Sequence, residues 1–547
     1  MKSLKMFFLA ASCLFAMAAT AQNQPQNIQS KAQMNAQKFA NTLYLIENFY
    51  VDTANIDKLV EEAIITALKE LDPHSAYIAK KDVEKANEKL VGSFEGIGVT
   101  YQLIRDTITV ISPVAGGPSE KVGIMTGDQF IKIDGEDAFG KKIDNDYVMK
   151  KLRGKKGSKV TVSVKRGNDP ELIDFEIIRD KIPLNSINAY YMLDKRIGYI
   201  KLDQFAQSSA HEFREAFGKL KAQGLKSLVL DLRGNSGGYL NTAIELVDQF
   251  LTKDQLIVFT EGIHSPRQEQ RSTDDGMFTK GNLVVLIDEG SASASEILSG
   301  AIQDHDRGVV IGRRSFGKGL VQRPFNLHDG AQIRLTTSRY HTPSGRCIQR
   351  PYEKGVEDYA KEMTKRMEHG EYFHADSIHF PDSLKYKTDG GRTVYGGGGI
   401  MPDIFIPVDT SYNSKLYTNL VRKGVLNRFT TDYALKHREE IKEKFGDFEQ
   451  FNKKFEVGAE LSNGFDITDD LLDELKKAAE EGKVEWNDEQ FAHSKDFILL
   501  QMKALIARNV WETQQYYQVM SAIDPGVQKA IEVLRNKKLY KSVLKAE

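Results

Sequence analysis

Apolar residues recur at four-residue steps in Val60, Ile64 and Leu68, the stripe that one buried helix face requires, and this spacing predicts helix over roughly residues 28–70. LDPHSAYI breaks the period at Pro73. From about Val91 to Asp180 the texture changes to short strands and glycine turns. GIGVTYQLIRDTITVISPV predicts a hairpin with Ile108 and Val110 on one face and Thr107 and Thr109 on the other. PSEKVG and DNDYVMKKL predict two short helices, and KVTVSVKRG another strand, so that about 90 residues make a small β domain. From about Ile182 to Pro407 strands and helices alternate. GYIKL, SLVLDL and LVVLI predict strands; SSAHEFREAFGKL, YLNTAIELVDQF and SASASEILSGAIQD predict helices. This order implies an α/β layer with largely parallel strands, whose carboxyl ends carry the chemistry. Two such ends, after Leu232 and after Ile287, bear Gly/Ser-rich turns. The stretch 352–399 is polar, ends in GGGG and predicts an irregular insertion or mobile loop. Beyond about Thr410 the chain is charged and mostly helical. Thr468 is the expected N-cap of a helix that places Leu471 and Leu475 on one face.

Composition narrows the class. The 547 residues are 41% apolar and 28% charged, which suits several packed domains, and 75 basic against 76 acidic residues argue against a nucleic-acid or anionic-membrane partner. The chain opens with Lys2 and Lys5, an apolar run from Met6 to Ala18 and Ala19-Thr20-Ala21, the pattern of a cleaved secretory signal over residues 1–21. The run is too short to span a bilayer. Cys13 lies inside it in a poor lipoprotein context, so removal of the signal leaves Cys347 alone, with no internal disulfide and no cysteine zinc site.

GRRSFGKG, residues 312–319, has the outline of a phosphate loop, but Gly319 stands where a hydroxyl is needed and LVQRPFNL predicts a strand rather than a helix. An ATP-dependent enzyme is therefore disfavoured. DEGSASASEI places Ser291, Ser293 and Ser295 at a helix start, where free N–H groups favour negative charge; a simple capping role is the ordinary alternative. No GxSxG elbow is present. A serine needs a base. A lysine serves when burial lowers its pKa toward about 7–8, and Lys318 lies between two glycines that let backbone pack around it. Local sequence alone favours reading Lys318 as an exposed surface lysine. Ser315 and Lys318 form an S-x-x-K, but Gly317 and Gly319 oppose the helix that motif needs. His369, His374 and His379 have no zinc-motif spacing.

Taken in order, LDPHSAYI, GSFEGIGV, GDQFIKIDG, DLRGNSGG, SASASEI, FGKGLVQ, YHTPSGR and GIMPDI resemble the C-terminal processing peptidases, or tail-specific proteases, of serine peptidase family S41, over roughly residues 40–407. The resemblance implies a multidomain α+β chain. Its parts would be an N-terminal helical region (22–90), a PDZ-like domain (91–180), a crotonase/ClpP-like peptidase core (181–409) and a helical C-terminal extension (410–547). It implies Ser293 as nucleophile and Lys318, 25 residues downstream, as base, with Gln322 orienting the lysine. It further implies oxyanion donors from the backbone of Ala294 and of Gly237 or Gly238, and carboxylate capture at Gly96, Ile97 and Gly98. Ser236 stands where the family commonly has proline. The implied function is an exported serine endopeptidase of the bacterial periplasm or cell envelope. It would need no cofactor or metal and would cut protein substrates with free, apolar C-termini. The alternative is a tail-binding or scaffold protein with an inactive or gated peptidase domain. Residues 410–547 are the expected place for self-association or an adaptor.

Overall fold

The structure, a computed structural model, describes residues 30–140, 143–167, 169–453 and 464–545. The expected signal peptide, with Cys13, lies outside the described residues. Among the described residues no helix is long and apolar enough to cross a membrane.

Residues 30–70 form one compact unit. The single helical stretch expected there is two helices, Lys31–Phe49 and Ile56–Lys69. Each has its own start. Ser30 and Gln33 exchange the bonds of a capping box, and the Asn55 side chain accepts the Lys58 N–H at 3.0 Å.

The second unit carries the remaining domains. Its PDZ-like part is an antiparallel sheet in the order Val99–Ile104, Thr107–Pro113, Gln129–Ile133, Lys159–Lys165, Ile173–Ile178, with Glu136–Asp137 beside the third strand. Helices Pro118–Val122 and Asn145–Leu152 complete it. Val160, Val162 and Val164 alternate into its core, as a period of two requires. The predicted hairpin turns at Arg105 and Asp106, both at positive φ. Burial is not confined to the apolar face: Thr109 is buried along with Ile108 and Val110.

The main layer is a six-stranded sheet, Ile187–Met192, Ile197–Leu202, Ser227–Asp231, Asn282–Ile287, Val309–Gly312, Ile404–Phe405, parallel except for its first strand. Helices Ser209–Ala222, Leu240–Asp248 and Ala294–Asp304 pack on one face through Phe213, Leu246 and Leu298. The other face, with Val229, Val284, Leu286 and Ile311, is covered by Val527, Ala530, Val533 and Tyr540 from helices Pro525–Arg535 and Lys537–Val543. Strands apolar on both sides need cover on both sides, and the end of the C-terminal extension supplies the second layer. The rest of the extension has its own core, in which Leu420, Leu475 and Ile498 are buried, and Thr468 caps its helix by accepting the Leu471 N–H.

A second sheet stands over the first layer. Gln332–His341 is its spine, paired with Leu320–Asn326, Leu256–Gly262 and Ala76–Ile78, and Ser265–Arg271 extends it. The end of LDPHSAYI, after the break at Pro73, thereby joins this second sheet. Helix Lys80–Val91 follows it and leads to the PDZ-like part, where Arg153 donates to Glu88 at 2.7 Å.

The stretch read as an irregular insertion contains a 13-residue helix, Val356–Glu368, and a short hairpin of Lys385–Lys387 with Thr393–Tyr395. Its polarity misled because its buried side is ionic. Arg366 is buried, donates to Ser315 O at 2.8 Å and pairs with Glu362, which also binds Arg314 and Arg350.

Candidate active site

Strand Asn282–Ile287 ends in a turn that three serines use differently. Ser291 Oγ accepts the Asp288 N–H and donates to Leu232 O, both at 2.9 Å; Ser295 Oγ donates to Asn235 O at 2.8 Å. These two are fully buried ties to the neighbouring RGNSGG turn. Ser293 lies between them, half-buried, with φ 55° and ψ −110°. A non-glycine residue in that region stores about 1–3 kcal/mol of strain and persists only where its surroundings hold it. The helix Ala294–Asp304 begins at the next residue, so Ser293 stands at the positive end of a buried helix.

What holds Ser293 is Glu296, with no solvent exposure. Its carboxylate accepts the N–H of Ser293 (2.8 Å), Gly317 (2.7 Å) and Lys318 (2.9 Å), and the hydroxyl of Ser315. One side chain thus fastens the turn of Ser293 to the loop of Lys318. Burial pushes its carboxyl pKa up, and the four donors work against that rise. Tyr340 adds a second clasp, its hydroxyl within hydrogen-bond range of both Ser293 O (3.2 Å) and Lys318 O (2.7 Å).

Lys318 and Ser293 line one cavity of about 410 Å³. Burial holds the lysine pKa below its usual value; Arg334 acts in the same direction, and the charges of Glu296 and Asp72 oppose it. Among the described residues the Lys318 Nζ makes no hydrogen bond or ion pair. Gln322 lines the same cavity, although a register shift falls between Val321 and Gln322, so simple alternation does not explain the shared face. The Gln322 amide donates to Thr336 Oγ1 (3.2 Å) rather than bonding the lysine, and Thr336 donates to Asp72 (3.0 Å).

The RGNSGG turn meets Ser293 closely. A Cβ at Gly237, whose φ is +100°, would stand 2.9 Å from the Ser293 Cβ and 3.0 Å from Ala294 N. The Gly237 N–H is occupied, donating to Asn235 Oδ1 at 2.8 Å. Gly238 and Ala294 both line the cavity, and among the described residues neither N–H has a protein acceptor. Ser236, Tyr239, Leu240, Ile297 and Val321 form further walls, and Leu90 of helix Lys80–Val91 closes one side.

The sequence model "Peptidase family S41" matches residues 196–359, "PDZ domain" matches 96–177, and a family of unknown function matches 416–512. The carboxy-terminal processing protease CtpB of Bacillus subtilis (strain 168) is 36% identical over 345 residues, 62% of this chain and 69% of the relative. The chain belongs to peptidase family S41. A probable CtpA-like serine protease of Staphylococcus aureus (strain MRSA252) is 36% identical over 326 residues, 59% of this chain; the match spans 64% of that relative, just under two thirds. Among solved structures, the photosystem II D1 C-terminal processing protease aligns with 57% of this chain and 89% of its own at 26% identity and a TM-score of 0.33.

In this S41 chain the loop expected to take a carboxylate is anchored by its carbonyls. Ile97 is buried, and its oxygen accepts from both the N–H (3.0 Å) and the hydroxyl (2.7 Å) of Ser119. Gly98, at φ 73°, accepts from Val114 N, and its own N–H has no protein acceptor among the described residues. Gly96 ends the strand Ser93–Gly96 opposite Asp180. His369 caps helix Val356–Glu368 and His374 precedes a short 3-10 turn. Among the described residues no three potential metal ligands cluster.

Sequence reasoning passed over Glu296, Tyr340 and the group around Asp72. Glu296 had a signal: S-A-S-E is a capping-box spacing, and the box here is turned toward a second loop. Asp72 accepts from the N–H groups of His74 and Ser75 and from the Ser75 hydroxyl, and these bonds overcome burial to lower its pKa. His74 lies beyond, with Nε2 at 2.8 Å from the Tyr359 hydroxyl. Burial, then the charge of Lys318, lowers its pKa to about 4.

Proposed function

We propose that the chain is an exported serine endopeptidase that captures the C-terminal tails of protein substrates and cleaves them with a Ser-Lys centre. Ser293 Oγ attacks the scissile carbonyl carbon while neutral Lys318 takes its proton. The tetrahedral oxyanion forms against the N–H groups of Gly238 and Ala294, and Gly237 shapes the turn rather than donating. Collapse expels the amine, which takes the proton from Lys318. Water, deprotonated by the Lys318 amine that this leaves neutral, then hydrolyses the acyl-enzyme. Gln322 acts at one remove, as part of the chain through Thr336 to Asp72. No step calls for a cofactor.

The observation that carries this reading is the pairing of a strained serine at a helix start with a lysine that burial drives toward neutrality, in one cavity and clasped by Glu296. The CtpB relative, named as a carboxy-terminal processing protease, supports the choice of substrate end. The PDZ match and the free Gly98 N–H support capture of a carboxylate there, together with Ile97 and Gly96. The apolar walls around Leu240 and Ile297 favour an apolar side chain at the cleavage point. The sequence pattern of residues 1–21 and bacterial relatives support export.

The test is incubation of the chain and its Ser293→Ala variant with an unstructured polypeptide ending in apolar residues, with a free or an amidated C-terminus. Fragments are read by mass spectrometry. Cleavage by the unaltered chain alone, reduced by amidation, is expected. Cleavage by Ser293→Ala would remove the nucleophile, and indifference to amidation would remove tail capture.

A further inference from the structure

The helical segment that matches a family of unknown function lines a cleft together with the PDZ-like part. Among the described residues Val99–Ile104 is an edge strand, paired only with Thr107–Pro113. Such an edge carries unused N–H and C=O groups that a peptide can pair with. A peptide with its carboxylate at Ile97 and Gly98 adds antiparallel to this strand. Its preceding residues therefore run from Val99 toward Ile104, six residues at about 3.3 Å each, or about 20 Å. Roughly six residues from its end, the peptide leaves the groove at the tip of the hairpin.

The structure has a cleft of about 670 Å³ at that exit. One wall is Leu103, Arg105 and Asp106 of the hairpin, with Ile143 just ahead of helix Asn145–Leu152. The other wall is the C-terminal extension: Arg428, Asp432 and Lys436 on helix Val425–Phe445, and Glu474, Lys477 and Glu481 on helix Asp469–Glu481. Among the described residues these charged groups form no ion pair with one another. Arg105, Asp106, Arg428, Lys436, Glu474, Lys477 and Glu481 are all exposed, so cations and carboxylates face the open cleft. Burial raises the Asp432 pKa, and the charges of Arg105, Lys436 and Arg428 oppose that rise.

We propose that this cleft receives the substrate's own chain, as an extended stretch about six to ten residues before its C-terminus that carries charged side chains of both signs. The proposal rests on the capture of a carboxylate at Ile97 and Gly98 described above. It gives the extension a role in substrate binding, as the continuation of the PDZ groove.

The test uses the full chain carrying Ser293→Ala and measures Kd by fluorescence anisotropy for three peptides. One is a six-residue apolar tail; the others extend it at the N-terminus by eight residues, either alternating Lys and Glu or Gly and Ser. The Lys/Glu extension is expected to tighten binding about tenfold, from a few partly exposed ion pairs, and the Gly/Ser extension to change it less than about twofold. Replacing exposed Arg428 and Lys436 together, as Arg428→Gln/Lys436→Gln, should abolish the gain and leave the six-residue peptide unaffected. Equal affinities for the two extensions, or a gain that survives the double substitution, would overturn the proposal. If amidation leaves the six-residue peptide's affinity unchanged, carboxylate capture itself is wrong and the proposal falls with it, an outcome distinct from failure of the cleft alone.

Discussion

A carboxylate without solvent is costly unless donors surround it, and Glu296 has four, drawn from both halves of the site. Its negative charge also raises the Lys318 pKa against the lowering caused by burial. Glu296→Gln keeps the shape, loses the charge and turns an N–H toward a donor. The expected result is a fall in kcat/KM of about 10- to 100-fold, the cost of mispairing charged buried hydrogen bonds. The acid limb of the pH–rate profile should also move to lower pH, because the base loses the charge that favours its proton. A merely structural loss would lower the rate and leave the limb in place. His74 supplies a second residue-scale prediction. Its pKa falls from an ordinary 6.5 to about 4 on folding, so between these values the unfolded chain binds more protons. Stability is therefore full above about pH 6.5 and declines as pH falls toward 4, by up to about 3 kcal/mol. Chemical denaturation at pH 7 and pH 4.5 should show His74→Gln with a flatter dependence than the unaltered chain.

At the scale of elements, the ionic face of helix Val356–Glu368 predicts a large effect from one residue. Glu362 offsets Arg314, Arg350 and Arg366 together, and Arg366 reaches the carbonyl of Ser315 beside the Lys318 loop. Glu362→Ala should cost about 2–4 kcal/mol in denaturant unfolding, because it strands partly buried cations; a change below about 0.5 kcal/mol would make the helix an ornament of the surface. This helix also shows what sequence patterning misses. A period is legible when the buried face is apolar, as with Val160, Val162 and Val164, and silent when it is Arg366 and Glu362. The site followed the same division. Ser293 and Lys318 were legible because long motifs in a fixed order single them out, although local sequence left Lys318 no different from a surface lysine. Glu296 was hidden because a charged residue in a helix is read as solvated. The pairing that brings Asp72 and Thr336 together joins residues 264 positions apart, which no local period encodes.

The whole molecule ties the RGNSGG turn to its C-terminal helices. Arg233, at the start of RGNSGG, is held by Asp231 and by Asp524, which caps helix Pro525–Arg535. Tyr540 from the next helix donates to Leu283 O at 3.2 Å and accepts the Leu283 N–H at 3.0 Å. The strand runs SLVLDL and LVVLI announced that both faces are buried, but not that the second cover comes from some 300 residues later. Asp524→Asn should lower kcat about tenfold with KM little changed, by loosening the turn that bears the Gly238 N–H; unchanged kcat would separate the extension from catalysis. The claim on which the account stands is that Lys318 activates Ser293. The most direct measurement is the rate at which a fluorophosphonate labels Ser293, followed by intact mass, in the unaltered chain and in Lys318→Ala of equal thermal stability. A single label that forms about 10²- to 10⁴-fold more slowly in the variant is expected from loss of a general base. Equal rates in the two proteins would contradict the account.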